Sequence, residues 1–66
     1  MSNAEMGSKL RELRGEKTRE DVARMIGVSV SAIQMYENGV RIPRDETKIK
    51  LANLYGKTVQ EIFFST

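Results

Sequence analysis

Three residues, Gly27, Val28 and Ser29, separate two amphipathic stretches, Arg19 to Ile26 and Val30 to Glu37, and that spacing constrains the fold more than anything else in the chain. Val22, Ala23 and Ile26 give the first stretch one apolar face at helical spacing, and Ile33 and Tyr36, three apart, do the same for the second. Gly27 suits the position just past a helix end, where a positive φ reverses the chain without the Cβ clash that another residue meets. Thr18, followed three residues later by Asp21, and Ser29 are suitable N-caps for the two helices. Two short helices that cross steeply over so tight a turn need a small residue at their closest approach and apolar residues at the inward positions. Ala23 supplies the first; Val22, Ile26, Val28, Ile33 and Tyr36 supply the second.

The rest of the chain reads as three more helices. Ser2 and Glu5 have capping-box spacing and open a first helix over Asn3 to Arg14, with Leu10 and Leu13 inward among Lys9, Arg11, Glu12 and Arg14. Residues 1–5 fit either a native start or a tag or frayed end ahead of Met6. Gly15, Glu16 and Lys17 form a break. Asn38 and Gly39 end the third helix as residues that tolerate the left-handed conformation, and Val40 to Arg44, with the only proline, Pro43, is a connector. A fourth helix over Asp45 to Tyr55 is expected to bury Ile49, Leu51, Ala52 and Tyr55 and to stop at Gly56. Thr58 and Glu61 repeat the capping box and open a last helix that carries Val59, Ile62 and Phe63 into the core. The predicted fold is all-α, one compact five-helix domain over residues 1–66, because strand-like alternation is confined to Val28 to Val30.

Composition narrows the chemistry. In 66 residues there is no Cys and no His, which excludes disulfides and thiol chemistry and denies a structural zinc its usual ligands. Acid–base catalysis would fall to nine carboxylates spread along exposed helix faces, so no enzyme, metal or cofactor is expected. No apolar run approaches the roughly 18 residues of a membrane span, and no signal peptide is evident, so the expected location is the cytoplasm, at the nucleoid. A net charge of +2 permits nucleic acid as a partner.

The run TREDVARMIGVSVSAIQMYENG, Thr18 to Gly39, followed by RIP and a helix ending in LYG, resembles the Cro and lambda-repressor type of helix-turn-helix proteins, the XRE family. The IGVS turn and the YENG ending are its most specific pieces. The resemblance extends from about Lys9 to Phe64 and implies a lambda-repressor-like DNA-binding domain of prokaryotic or phage origin that acts in transcription regulation as a repressor. It also implies a homodimer on double-stranded DNA, at a palindromic operator, with the third helix in the major groove and no small-molecule ligand. Base-reading positions fall on Val30, Ser31, Gln34 and Met35. Phosphate contacts fall on Arg19, where the family usually has Gln, and on Ser29, Arg41 and Arg44.

Two departures from the family pattern stand out. The loop before the second helix is short, and Lys17 replaces the Leu that often precedes its N-cap. The outward face of the third helix has no Lys or Arg, so affinity must come from Arg19, Arg41, Arg44 and, in reserve, Lys17 or Arg14. Lys48, Lys50 and Lys57 read as solvated surface, and of Phe63 and Phe64 one ring is expected to close the core and the other to contact a second copy. That neutral helix leaves open a different function, an antitoxin or adaptor that binds a protein partner through the same fold.

Overall fold

Among residues 2–64, which the computed structural model describes, the chain forms α1 (Asn3–Arg14), α2 (Arg19–Ile26), α3 (Val30–Glu37), α4 (Asp45–Tyr55) and α5 (Val59–Phe63), and no strand. Four of these helices start by one device. A hydroxyl ahead of the helix accepts from the backbone N–H three residues on, at 3.0 to 3.1 Å: Ser2 from Glu5, Thr18 from Asp21, Ser29 from Ala32 and Thr58 from Glu61. At Thr58 the box is complete, since the Glu61 carboxylate also accepts from the Thr58 N–H at 3.0 Å. Those bonds to the ionised carboxylate hold the Glu61 pKa below its ordinary value. At Ser2 the Glu5 carboxylate instead takes the Ser2 hydroxyl at 3.2 Å. Residues 3–5 therefore form the first turn of α1.

The core is one cluster: Met6 and Leu10 from α1, Val22, Ala23 and Ile26 from α2, Ala32, Ile33 and Tyr36 from α3, Leu51 and Ala52 from α4, and Ile62 and Phe63 from α5. Packing is chiefly α1 on α3 and α2 on α3, with α4 and α5 closing the other side. The steep pairing of α2 and α3 has the expected small residue, Ala23, which is buried. The tightest approach lies elsewhere. A Cβ placed on Gly7 of α1 would stand 2.4 Å from the Glu37 carbonyl oxygen, so backbone meets backbone where α1 crosses the end of α3.

Four expectations are corrected. Ile49 is 53% exposed, because the inward stripe of α4 follows Lys48, Leu51, Ala52 and Tyr55, and a helix turning about 100° per residue sends Ile49 to the side of it. Tyr55 itself is half-buried. Lys48 is not a solvated residue: its side chain is mostly covered and its ammonium lies 5.6 Å from the Phe63 ring centre and 4.9 Å from that of Phe64. Asn38 remains right-handed at φ −87°, and Gly39 alone takes the positive φ, 71°, that ends α3. Asn38 serves the fold through its side chain, whose oxygen accepts from an Arg11 terminal nitrogen at 3.0 Å.

Candidate nucleic-acid interface

The outward face of α3 is set by the turn before it. Gly27 adopts φ 72°, ψ 37°, its N–H reaches the Ala23 carbonyl and the Val28 N–H follows to the same oxygen at 3.0 Å. Val28 then half-buries, and Ser29 caps α3. With Ala32, Ile33, Tyr36 and Glu37 committed inward, Val30, Ser31 and Gln34 come together on one exposed face, spaced i, i+1 and i+4. Met35 lies at its edge, half-buried. The Ser29 oxygen is already an acceptor for the Ala32 N–H, and its hydroxyl proton remains to donate outward.

The connector is tied to the end of this helix. The Val40 and Arg41 N–H groups both donate to the Met35 carbonyl, at 3.0 and 3.3 Å, and the Gly39 N–H donates to Tyr36 at 3.1 Å. Arg41 thereby has its backbone fixed beside the last turn of α3, and Arg44 occupies the N-cap position of α4 without capping it by its side chain. Both are exposed, and among the described residues neither has an ion-pair partner. They line, with Val28, Ala32, Tyr36, Ile42 and Thr47, a cleft alongside α3.

Arg19 is placed differently. Glu37, 4% exposed, is the one buried charged residue of the described chain, and two arginines converge on it. Arg14 donates from Nε to Oε2 at 2.7 Å and from Nη2 to Oε1 at 3.2 Å, and Arg19 donates from Nε to Oε1 at 3.1 Å. The third Arg14 nitrogen, Nη1, donates to the Lys17 carbonyl at 2.8 Å. This closes the short corner between α1 and α2 with a cation where an apolar contact is missing, and it removes Arg14 from the reserve of surface charges. The hydrogen bond to Glu37, ahead of the attraction between their charges, raises the already high Arg14 pKa. Among the described residues no buried side-chain nitrogen or oxygen lacks a partner.

Sequence reasoning missed Glu37 and Arg14. The available signal was phase: Glu37 is four residues beyond Ile33, on the buried stripe of α3, and a carboxylate there requires cations brought to it.

Among the described residues no cluster of three or more carboxylate, His or Cys groups is placed to hold a metal, and no helix is long and apolar enough to cross a membrane.

A family model described as helix-turn-helix matches residues 8–62. The chain is 42% identical over 57 residues to the cryptic phage CTXphi transcriptional repressor RstR of Vibrio cholerae, covering 83% of this chain and 51% of the repressor. It thus spans about half the length of that curated relative. It is also similar to the crystal structure of the restriction-modification controller protein C.AhdI from Aeromonas hydrophila, with a TM-score of 0.82, 30% identity, and coverage of 92% of this chain and 96% of the other.

Proposed function

The chain belongs to the helix-turn-helix family of the Cro and lambda-repressor type, and from that premise we propose that it is a sequence-specific DNA-binding transcriptional regulator, a repressor, that reads the major groove with α3. The observation that carries this reading is the uncharged, exposed face of Val30, Ser31 and Gln34 followed, beyond the end of α3, by two arginines whose side chains have no partner among the described residues, Arg41 and Arg44. An α-helix with its side chains is about 10 to 12 Å across, which fits a major groove about 12 Å wide. In the groove, Gln34 pairs with adenine through its amide, Ser31 donates to or accepts from a base edge, and Val30 and Met35 meet thymine methyls. Arg41, Arg44, Arg19 and the Ser29 hydroxyl hold phosphates on either side and so fix the register of α3 without reading sequence.

The protein acts as a homodimer on a palindromic operator, with half-sites about one helical turn apart. Phe64, 53% exposed at the end of α5, supplies part of the contact between copies. It works in the cytoplasm, and its function is binding, without catalysis.

A mobility-shift titration on mixed-sequence duplex across a salt series, followed by selection from a random duplex pool, tests this. Binding at low salt and a palindromic consensus are expected. Gln34→Ala relaxes preference at one base pair, and Arg44→Ala weakens all sequences alike and lowers the salt slope by about 1. Absence of binding even at low salt refutes it and favours the protein-binding adaptor, which the lack of cations on α3 keeps in contention.

A further inference from the structure

The two arginines on Glu37 are not equivalent. Arg14 uses all three guanidinium nitrogens inside the protein, two on Glu37 and one on the Lys17 carbonyl, and its side chain is 16% exposed. Arg19 uses only Nε, and among the described residues its two terminal nitrogens donate to nothing; its side chain is 34% exposed. Two cations on one carboxylate leave a net charge of +1, and the surplus lies on the more exposed of the two. Arg19 is also the first residue of α2, where unpaired backbone N–H groups add a positive end to the site. Arg41 and Arg44 have no such tether and must give up side-chain freedom when they bind.

We propose that Glu37 is a positioning residue for DNA binding: by holding Arg19 through Nε, it aims the two terminal nitrogens as a preformed fork for a backbone phosphate at the start of α2. The proposal rests on the DNA-binding reading above and adds to it a division of labour within one carboxylate. Glu37 neutralises Arg14 for the fold and orients Arg19 for the ligand. A planar guanidinium can donate to the carboxylate along one edge and to a phosphate along the other, whereas an ammonium offers no such fixed pair of directions.

The experiment uses the whole protein and a labelled mixed-sequence duplex, with affinity measured by fluorescence anisotropy across a KCl series and the melting transition recorded for every variant. Arg19→Gln is expected to lower the salt slope by about 0.9 per protomer, a loss of about tenfold in affinity near 0.1 M salt. Arg19→Lys keeps the charge and stays nearer to the Gln variant than to the wild type. Glu37→Gln weakens binding about threefold or more when Arg19 is present and leaves it unchanged in the Arg19→Gln background, a coupling that a purely structural role would not produce.

Should Glu37→Gln not fold, nitrogen-15 spectra of the wild type decide. The Arg19 Nε–H stays protected from water exchange before and after DNA is added, while its terminal nitrogens shift. An exposed or DNA-released Nε–H, or an Arg19→Gln variant with the wild-type salt slope, overturns the proposal while the DNA-binding reading stands. A wild type that binds no duplex at all overturns both.

Discussion

On the inner face of α3, Glu37 is 4% exposed and receives hydrogen bonds from two arginines, while on the outer face and just beyond it Ser31, Gln34, Arg41 and Arg44 are exposed and, among the described residues, their side chains have no partner. The same residue type, arginine, stands on both sides. Burial decides what it does. A carboxylate taken out of water is tolerated only with cations at hydrogen-bond distance, so Glu37 dictates where Arg14 and Arg19 go and, through them, how α1, α2 and α3 meet. An arginine in water makes no such demand, which leaves Arg41 and Arg44 available to a ligand without cost to the fold.

The sharpest way to break this contrast is to remove one charge from each side. Glu37→Ala leaves two arginines facing each other with no carboxylate between them and is expected to cost about 3 to 5 kcal/mol. A domain of this length has roughly 3 to 10 kcal/mol in all, so that variant loses a large part of its stability. Arg44→Ala is expected to change stability by less than about 0.5 kcal/mol. Urea denaturation of both checks this. Comparable losses would mean that Arg44 has structural work and that the two faces do not differ in kind.

Gly7→Ala probes the inner face by shape instead of charge, with a smaller effect. Alanine gains about 1 kcal/mol over glycine inside a helix, and on propensity alone the variant should be more stable. The new methyl would stand 2.4 Å from the Glu37 carbonyl and 2.8 Å from that of Tyr36, both backbone atoms that cannot rotate away. Forcing α1 off α3 outweighs the propensity, for a net loss of about 1 to 2 kcal/mol. A thermal melt raised by the substitution would show that α1 and α3 have slack between them.

What the sequence made legible follows the same division between local and assembled features. The Gly27 turn, the hydroxyl caps and the inward set of Ile33 and Tyr36 depend on residues a few positions apart, so spacing alone located them. Glu37, Lys48 and Ile49 depended on neighbours from other elements. Arg14 and Arg19 come to Glu37 only when α1 and α2 are in place, and the rings over Lys48 arrive from the end of α5. Ile49 misled because its apolar character was given more weight than its phase on α4. The candidate interface came instead from the resemblance to the family, and Val30, Ser31 and Gln34 stand outward because the core claims the opposite face of α3.

Tyr55 offers the finest test of the inner face, because it lies next to the buried carboxylate without bonding to it. It lines one small cavity with Leu10, Ile33, Tyr36, Glu37 and Leu51, and its own pKa is pushed up to about 12, first by burial and then by the Glu37 charge, with Arg14 opposing. A tyrosine ionises near pH 10 when unfolded, so its folded value is the higher one. The stability it contributes is therefore fully present below about pH 10 and is lost as the pH rises toward about 12, where the folded form also ionises. Comparison with Tyr55→Phe isolates the contribution of this one hydroxyl. The difference in unfolding free energy between wild type and variant is expected to be flat up to about pH 10 and then to fall by on the order of 1 kcal/mol, since the ring is only half-buried. Replacing Glu37 by Gln in the same measurement should shrink that fall without abolishing it, because burial is the larger cause and the carboxylate charge the smaller. A fall that vanished with the Glu37 charge would reverse that order and make the inner face electrostatic at a distance as well as in its hydrogen bonds.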